Sequence, residues 1–183
     1  SSKAIGLSVF LVAALILSLI ISSKIVAALQ DVEIKNNNSP TLKKKTVFFS
    51  FFAASLFVML LWYWGFFPGS FVYDTAWQYK QAINNSYNDW HPFWHTIVFF
   101  SFPLKLTGEK YSIVLFQIIY FSLIMGYMGM VIYKHSSTKI AIISIAYILL
   151  HPFTGIIVSC PIKDVGFAMA GCLAMTMVTE AYF

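Results

Sequence analysis

The sequence predicts an all-α protein, a polytopic bundle of transmembrane helices with an interfacial helix in an outer loop. Three observations lead there. Hydrophobic residues make up 59% of the 183 residues and charged residues only 10%. Apolar runs cover residues 5–29, 46–67, 111–133, 139–159 and 165–179. A helix rises about 1.5 Å per residue, so about 20 such residues cross a hydrocarbon core of about 30 Å. The runs are also apolar all round, without the polar face that a helix of a soluble core keeps toward water. One run could be a signal peptide; five cannot.

The first unit, residues 1–45, holds the run 5–29 and a basic loop with Lys35, Lys43, Lys44 and Lys45. Short lysine-rich loops stay in the cytoplasm. The second unit, 46–183, therefore starts with a span running outward, and the loop 68–95 emerges on the outer face. All five tryptophans lie between Trp62 and Trp94. Tryptophan favours the headgroup level, so this loop is expected to lie along the membrane surface. "PGS" at 68–70 breaks the chain. Asp74 is placed as the N-cap of a short amphipathic helix reaching about Ile83. Lys80, Gln78 and Gln81 read as solvated positions on it, with a lesser reading as headgroup contacts. "NNSYND" reads as a turn, and Pro92 opens the next helix.

Residues 93–104 are too short a run for a comfortable span. Lys134 and Lys139 favour a cytoplasmic 134–139 loop, which requires that 93–104 does not cross. The span 111–133 then runs inward and 139–159 returns, with Pro152 predicted to kink it and His151 to face the interior. "CPIKD" at 160–164 reappears on the same face as Asp74. The chain opens with "SSKAIG" and stops at "VTEAYF" without a helix-stop signal, so it reads as a piece of a longer polypeptide.

The net charge of +5 is not a nucleic-acid signature. All 12 basic residues are lysine, and they sit mostly at the ends of apolar runs. Cys160 and Cys172 read as buried free thiols.

Polar chemistry concentrates in "YDTAWQYKQAINNSYNDWHPFWH", residues 73–95. Asp74 is a helix cap, or a carboxylate that binds a divalent cation or takes a proton from an acceptor hydroxyl. His91 and His95 stand at i and i+4, within reach of one helix face. With Asp89 they read better as polar walls of a substrate cleft than as a zinc site. Lys163 and Asp164 form a loop ion pair, or Asp164 caps the last helix. In the functional reading Asp164 joins Asp74 around a cation, and Lys163 meets a phosphate.

These residues resemble the GT-C superfamily of polytopic glycosyltransferases, over roughly residues 46–180. Asp74 matches the acidic residue of that superfamily's first outer loop, and Asp164 its second aspartate. "HPFWH" at 91–95 is similar to its "HPP" segment, with Phe93 in place of the second proline. The resemblance implies sugar transfer from a polyprenyl-phosphate-linked donor to a glycan, lipid or protein acceptor. The reaction would run on the extracytoplasmic face of a bacterial plasma membrane. It implies Asp74 and Asp164 as catalytic and metal-binding candidates, with magnesium or manganese as the cation. Lys163, His91, His95, Asp89 and Gln78 would contact substrate. A transporter or flippase would instead place ionisable groups or paired broken helices at mid-membrane, where only His151 with Pro152 fits. A non-catalytic scaffold would leave Asp74, Asp89, His91 and Asp164 far apart.

Overall fold

The computed structural model describes residues 43–88 and 90–183. The expected first span, the greater part of the basic loop including Lys35, and Asp89 lie outside the described residues. The described chain is all-helical: α1 (Lys44–Gly65), α2 (Tyr73–Asn84), α3 (Phe93–His95), a π-helical stretch (Thr96–Ser101), α4 (Phe102–Thr107), α5 (Tyr111–His135), α6 (Thr138–Leu150), α7 (Pro152–Val158) and α8 (Lys163–Tyr182). Among the described residues, α1, α5 and α8 are long and apolar enough to cross a membrane. The pair α6–α7 makes a fourth if it is counted as one span, bent by 64° at His151–Pro152. The bend falls where proline removes a backbone donor and clashes with the preceding turn. His151 is half-buried between the rings of Tyr147 and Phe153.

Helix α5 is the axis of the assembly. It buries Ile113, Val114, Gln117, Ile118, Phe121, Ile124 and Met125, positions that recur every three or four residues and so share faces. Helix α1 lies against it in the opposite direction: Val47 clusters with Tyr133, and the Tyr63 hydroxyl donates to the Tyr111 carbonyl at 3.4 Å. The contact is close because α5 offers Gly129. A Cβ there would stand 2.5 Å from the Phe51 ring, well inside van der Waals contact. In lipid, such close approach replaces the hydrophobic drive that water would supply. Helix α8 runs parallel to α5. Gln117 donates to the carbonyls of Val158 (2.9 Å) and Cys160 (3.1 Å) just before α8, and Tyr127 and Lys134 meet Glu180 near its other end.

Two ends result. Lys43–Lys45, Tyr133, Lys134 and Lys139 gather at one. The 66–70 turn, the start of α5 and the 159–163 segment gather at the other, where the Ser70 amide donates to the Ser159 carbonyl at 3.0 Å. The α3–α4 segment comprises three, six and six residues, and among the described residues it is not one of the candidate spans. In its π stretch Thr96, Phe99, Phe100 and Ser101 are all buried. The wider pitch lets neighbouring residues share a face that an α-helix would split.

Three expectations are corrected. Asp74 and Asp164 do not cap: Val72 and Ile162 hold the cap positions in extended backbone without side-chain cap bonds, and each aspartate stands one residue inside the first turn. There a carboxylate still meets the positive helix end. Gln78 and Gln81 are not solvated; they are 0% and 5% exposed. Cys160 is buried as expected, whereas Cys172 is exposed on α8.

Candidate functional site

The first turn of α2 is held to the segment before α8 by two contacts. The Thr75 hydroxyl donates to the Pro161 carbonyl at 3.2 Å in a buried position. Lys163 Nζ stands 3.6 Å from Asp74 Oδ2, the two side chains being 30% and 41% exposed. A pair this open contributes at most about 1 kcal/mol. Its significance is positional, because it brings together residues from the two motifs singled out in the sequence. Asp164 is exposed on the same first turn of α8. Its charge reaches His95, but among the described residues it is not part of the Asp74 ion pair.

Beneath this pair lies a buried polar seam. Gln78 Nε2 donates to His95 Nδ1 at 2.9 Å and to Thr96 Oγ1 at 3.1 Å. In that arrangement Nδ1 accepts, so the proton of neutral His95 sits on Nε2. The ring stacks on Phe99, with centroids 4.9 Å apart. Gly166 meets the Cδ2–Nε2 edge of the ring, where a Cβ would come within 2.7 Å of His95 Cδ2, so α8 needs glycine there to admit the imidazole. Burial, with the positive fields of His91 and Lys163 adding to it and Asp164 opposing, lowers the His95 pKa to about 4. His95 is therefore neutral at physiological pH.

His91 is 1% exposed. Among the described residues, neither of its ring nitrogens has a hydrogen-bond partner. Burial first, and Lys163 second, hold its pKa below the usual histidine value, with Asp74 opposing. Beside it opens a cleft of about 280 Å³ lined by Tyr73, Trp77, Gln81, Asn88, Trp90 and His91. Gln81 Nε2 donates to Asn88 Oδ1 at 2.8 Å, and the Trp90 amide donates to the same oxygen at 3.2 Å.

The structure thus brings Asp74, Lys163, His91, His95 and Gln78 into one region with Asp164 at its edge. Gln78 turns out to position His95 from a fully buried site. Sequence reasoning missed Thr75, Thr96 and the burial of Gln78 and Gln81. The available signal was the stripe Thr75–Gln78–Gln81, polar residues at i, i+3 and i+6 on a helix that also carries Tyr73, Trp77 and Tyr79. As arranged, the donors do not fit a divalent cation. Asp74 Oδ2 already faces an ammonium, and among the described residues no three His, Cys, Asp or Glu side chains are grouped to hold a metal. Compared with family profiles, curated proteins and solved structures, the chain matches none.

Proposed function

We propose that this protein is a polytopic glycosyltransferase of the bacterial plasma membrane, resembling the GT-C superfamily. It moves a sugar from a polyprenyl-phosphate-linked donor to an acceptor hydroxyl on the outer face, with α2 lying in the interface. The observation that carries this reading is the approach of Lys163 to Asp74 across 89 residues of sequence, at one end of the helices. Scattered placement would have favoured a scaffold. The orientation is supported by Lys43, Lys44, Lys45, Lys134 and Lys139 at the opposite end, against Lys80, Lys105, Lys110 and the paired Lys163 on the site side.

In this mechanism the acceptor oxygen attacks the anomeric carbon. The bond from that carbon to the lipid phosphate breaks, and its electron pair leaves with the phosphate. Asp74 takes the acceptor's proton as the new bond forms. Protonation removes the charge that held Lys163, whose ammonium then faces the departing phosphate. His95 stays neutral and anchors α2 through Gln78, while Asp164 orients the acceptor.

The test is Asp74→Asn in membranes supplied with a polyprenyl-phosphate sugar. Transfer is expected to fall roughly 10²–10⁴-fold with helix content unchanged. Full activity in that variant would refute the reading.

A further inference from the structure

We propose that the cleft beside His91 is a binding subsite for a single pyranose ring. The binding itself stands on the cleft alone; assigning that ring to a transfer reaction rests on the function proposed above.

The volume of about 280 Å³ lies just below the roughly 300–1,000 Å³ common for small-molecule clefts, so one ring fits and a long chain does not. Three walls are aromatic. Tyr73 and Trp77 meet edge to face at 6.3 Å, and Tyr73, Trp77 and Trp90 are 73%, 41% and 79% exposed. Apart from the Trp77 face that Lys80 Nζ stands over, these rings offer apolar surface to a ligand with an apolar side. The rest of the lining is neutral and hydrogen-bonding: two amides and an imidazole. Neutral His91 has one N–H donor and one lone pair. Both lack partners among the described residues in a side chain that is 1% exposed. Buried polar groups are normally satisfied, and a hydroxyl, which both donates and accepts, complements that imidazole. Asn88 Oδ1 takes hydrogens from both Gln81 and the Trp90 backbone, so the loop that carries Trp90 is tied to α2.

A ligand with a C–H face and a hydroxyl edge is a sugar ring. An acyl chain would leave His91 and the amides unmet. A phosphate would find no lysine among the six lining residues, and Lys80 Nζ stands 5.4 Å over the Trp77 ring, which engages it.

The protein is reconstituted in lipid nanodiscs, since maltoside detergents carry the proposed ligand. Saturation-transfer NMR is then run with methyl glycosides of glucose, mannose, galactose and N-acetylglucosamine. At least one is expected to show saturation of ring C–H protons at roughly millimolar affinity. That signal should drop at least about fivefold in Trp77→Ala and in Trp90→Ala, and recover in Trp77→Phe. No saturation with any glycoside, or saturation untouched by both alanine variants, overturns the proposal. A short polyprenyl-phosphate sugar that displaces the glycoside assigns the ring to the donor. Failure to displace it assigns the ring to the acceptor, and the subsite stands in both arms. Transfer failing while saturation persists would sink the enzymatic reading and leave this one intact.

Discussion

Helix α5 hides Ile113, Val114 and Ile118, each 0% exposed, as an apolar helix in a bundle does. Helix α2 does the reverse: Thr75 and Gln78 are 0% exposed, while Tyr73, Trp77 and Ile83 stand outward at 73%, 41% and 54%. Each helix nevertheless buries one fully covered glutamine whose Nε2 makes two hydrogen bonds. In α5 that amide is an exception that ties the helix to backbone carbonyls. In α2 the amide belongs to the rule, because its neighbour across the seam is itself polar. Hydropathy therefore reports which helices sit at membrane depth, but not which face of a surface helix turns inward. The proposed interfacial seat of α2 accounts for the inversion, since aromatic rings are at home at headgroup level.

The sharpest way to break this contrast is in α5. Gly129→Val places methyl groups against the Phe51 ring and is expected to cost about 3 kcal/mol, seen as a lower Tm and reduced folded yield in detergent. Next is Gln78→Leu in α2, which by hydropathy alone should help. It is expected instead to destabilise by about 2–3 kcal/mol, because His95 Nδ1 and Thr96 Oγ1 lose their donor in a buried seam. An unchanged or raised Tm would show that the polar face does not carry the helix.

Acid probes the same seam. The folded His95 pKa of about 4 lies below the unfolded value of about 6.5. Between these values the unfolded chain binds more protons, so stability rises with pH and is complete above about 6.5. It is lost as pH falls from about 6.5 to 4, by about 1–2 kcal/mol after allowance for partial exposure. A Tm that stays flat over that window would contradict the neutral, half-buried imidazole. Smallest of all, Tyr73→Ser on the outward face is expected to shift stability by less than about 0.5 kcal/mol. A large loss in detergent would mean that this face is covered.

The spans were legible because a long apolar run has few other uses. The run 46–67 became Lys44–Gly65, 111–133 became Tyr111–His135, and Pro152 marked the bend in 139–159. The caps were not legible, since Val72 and Ile162 have no side-chain oxygen to announce a helix start. For the same reason each aspartate was expected at a cap that lies two positions before it. The turn after α2 was readable from its asparagines, and Asn85 adopts the left-handed conformation that asparagine tolerates. The burial of Gln78 could not be read, because it depends on Thr96 and His95 arriving from another segment. That Asp74 and the 160–164 segment share one face was expected from counting membrane crossings with residues 93–104 not crossing; the partner was not, since Asp164 was expected beside Asp74 and it is Lys163 that stands there.

The π-helical stretch at Thr96–Ser101 gives the protein an unusual tolerance to a change of length. Such a stretch is an α-helix carrying a surplus residue. The wide turn absorbs that residue, so the helix on either side keeps its facing. Excising one residue there would let the segment relax to regular winding, with His95 still beside Gln78 and the residues from Phe102 onward still in register. What would change is local: Thr96, Phe99, Phe100 and Ser101 could no longer all point inward. The same excision within α5, which has no surplus to give up, would turn everything beyond it by about 100°.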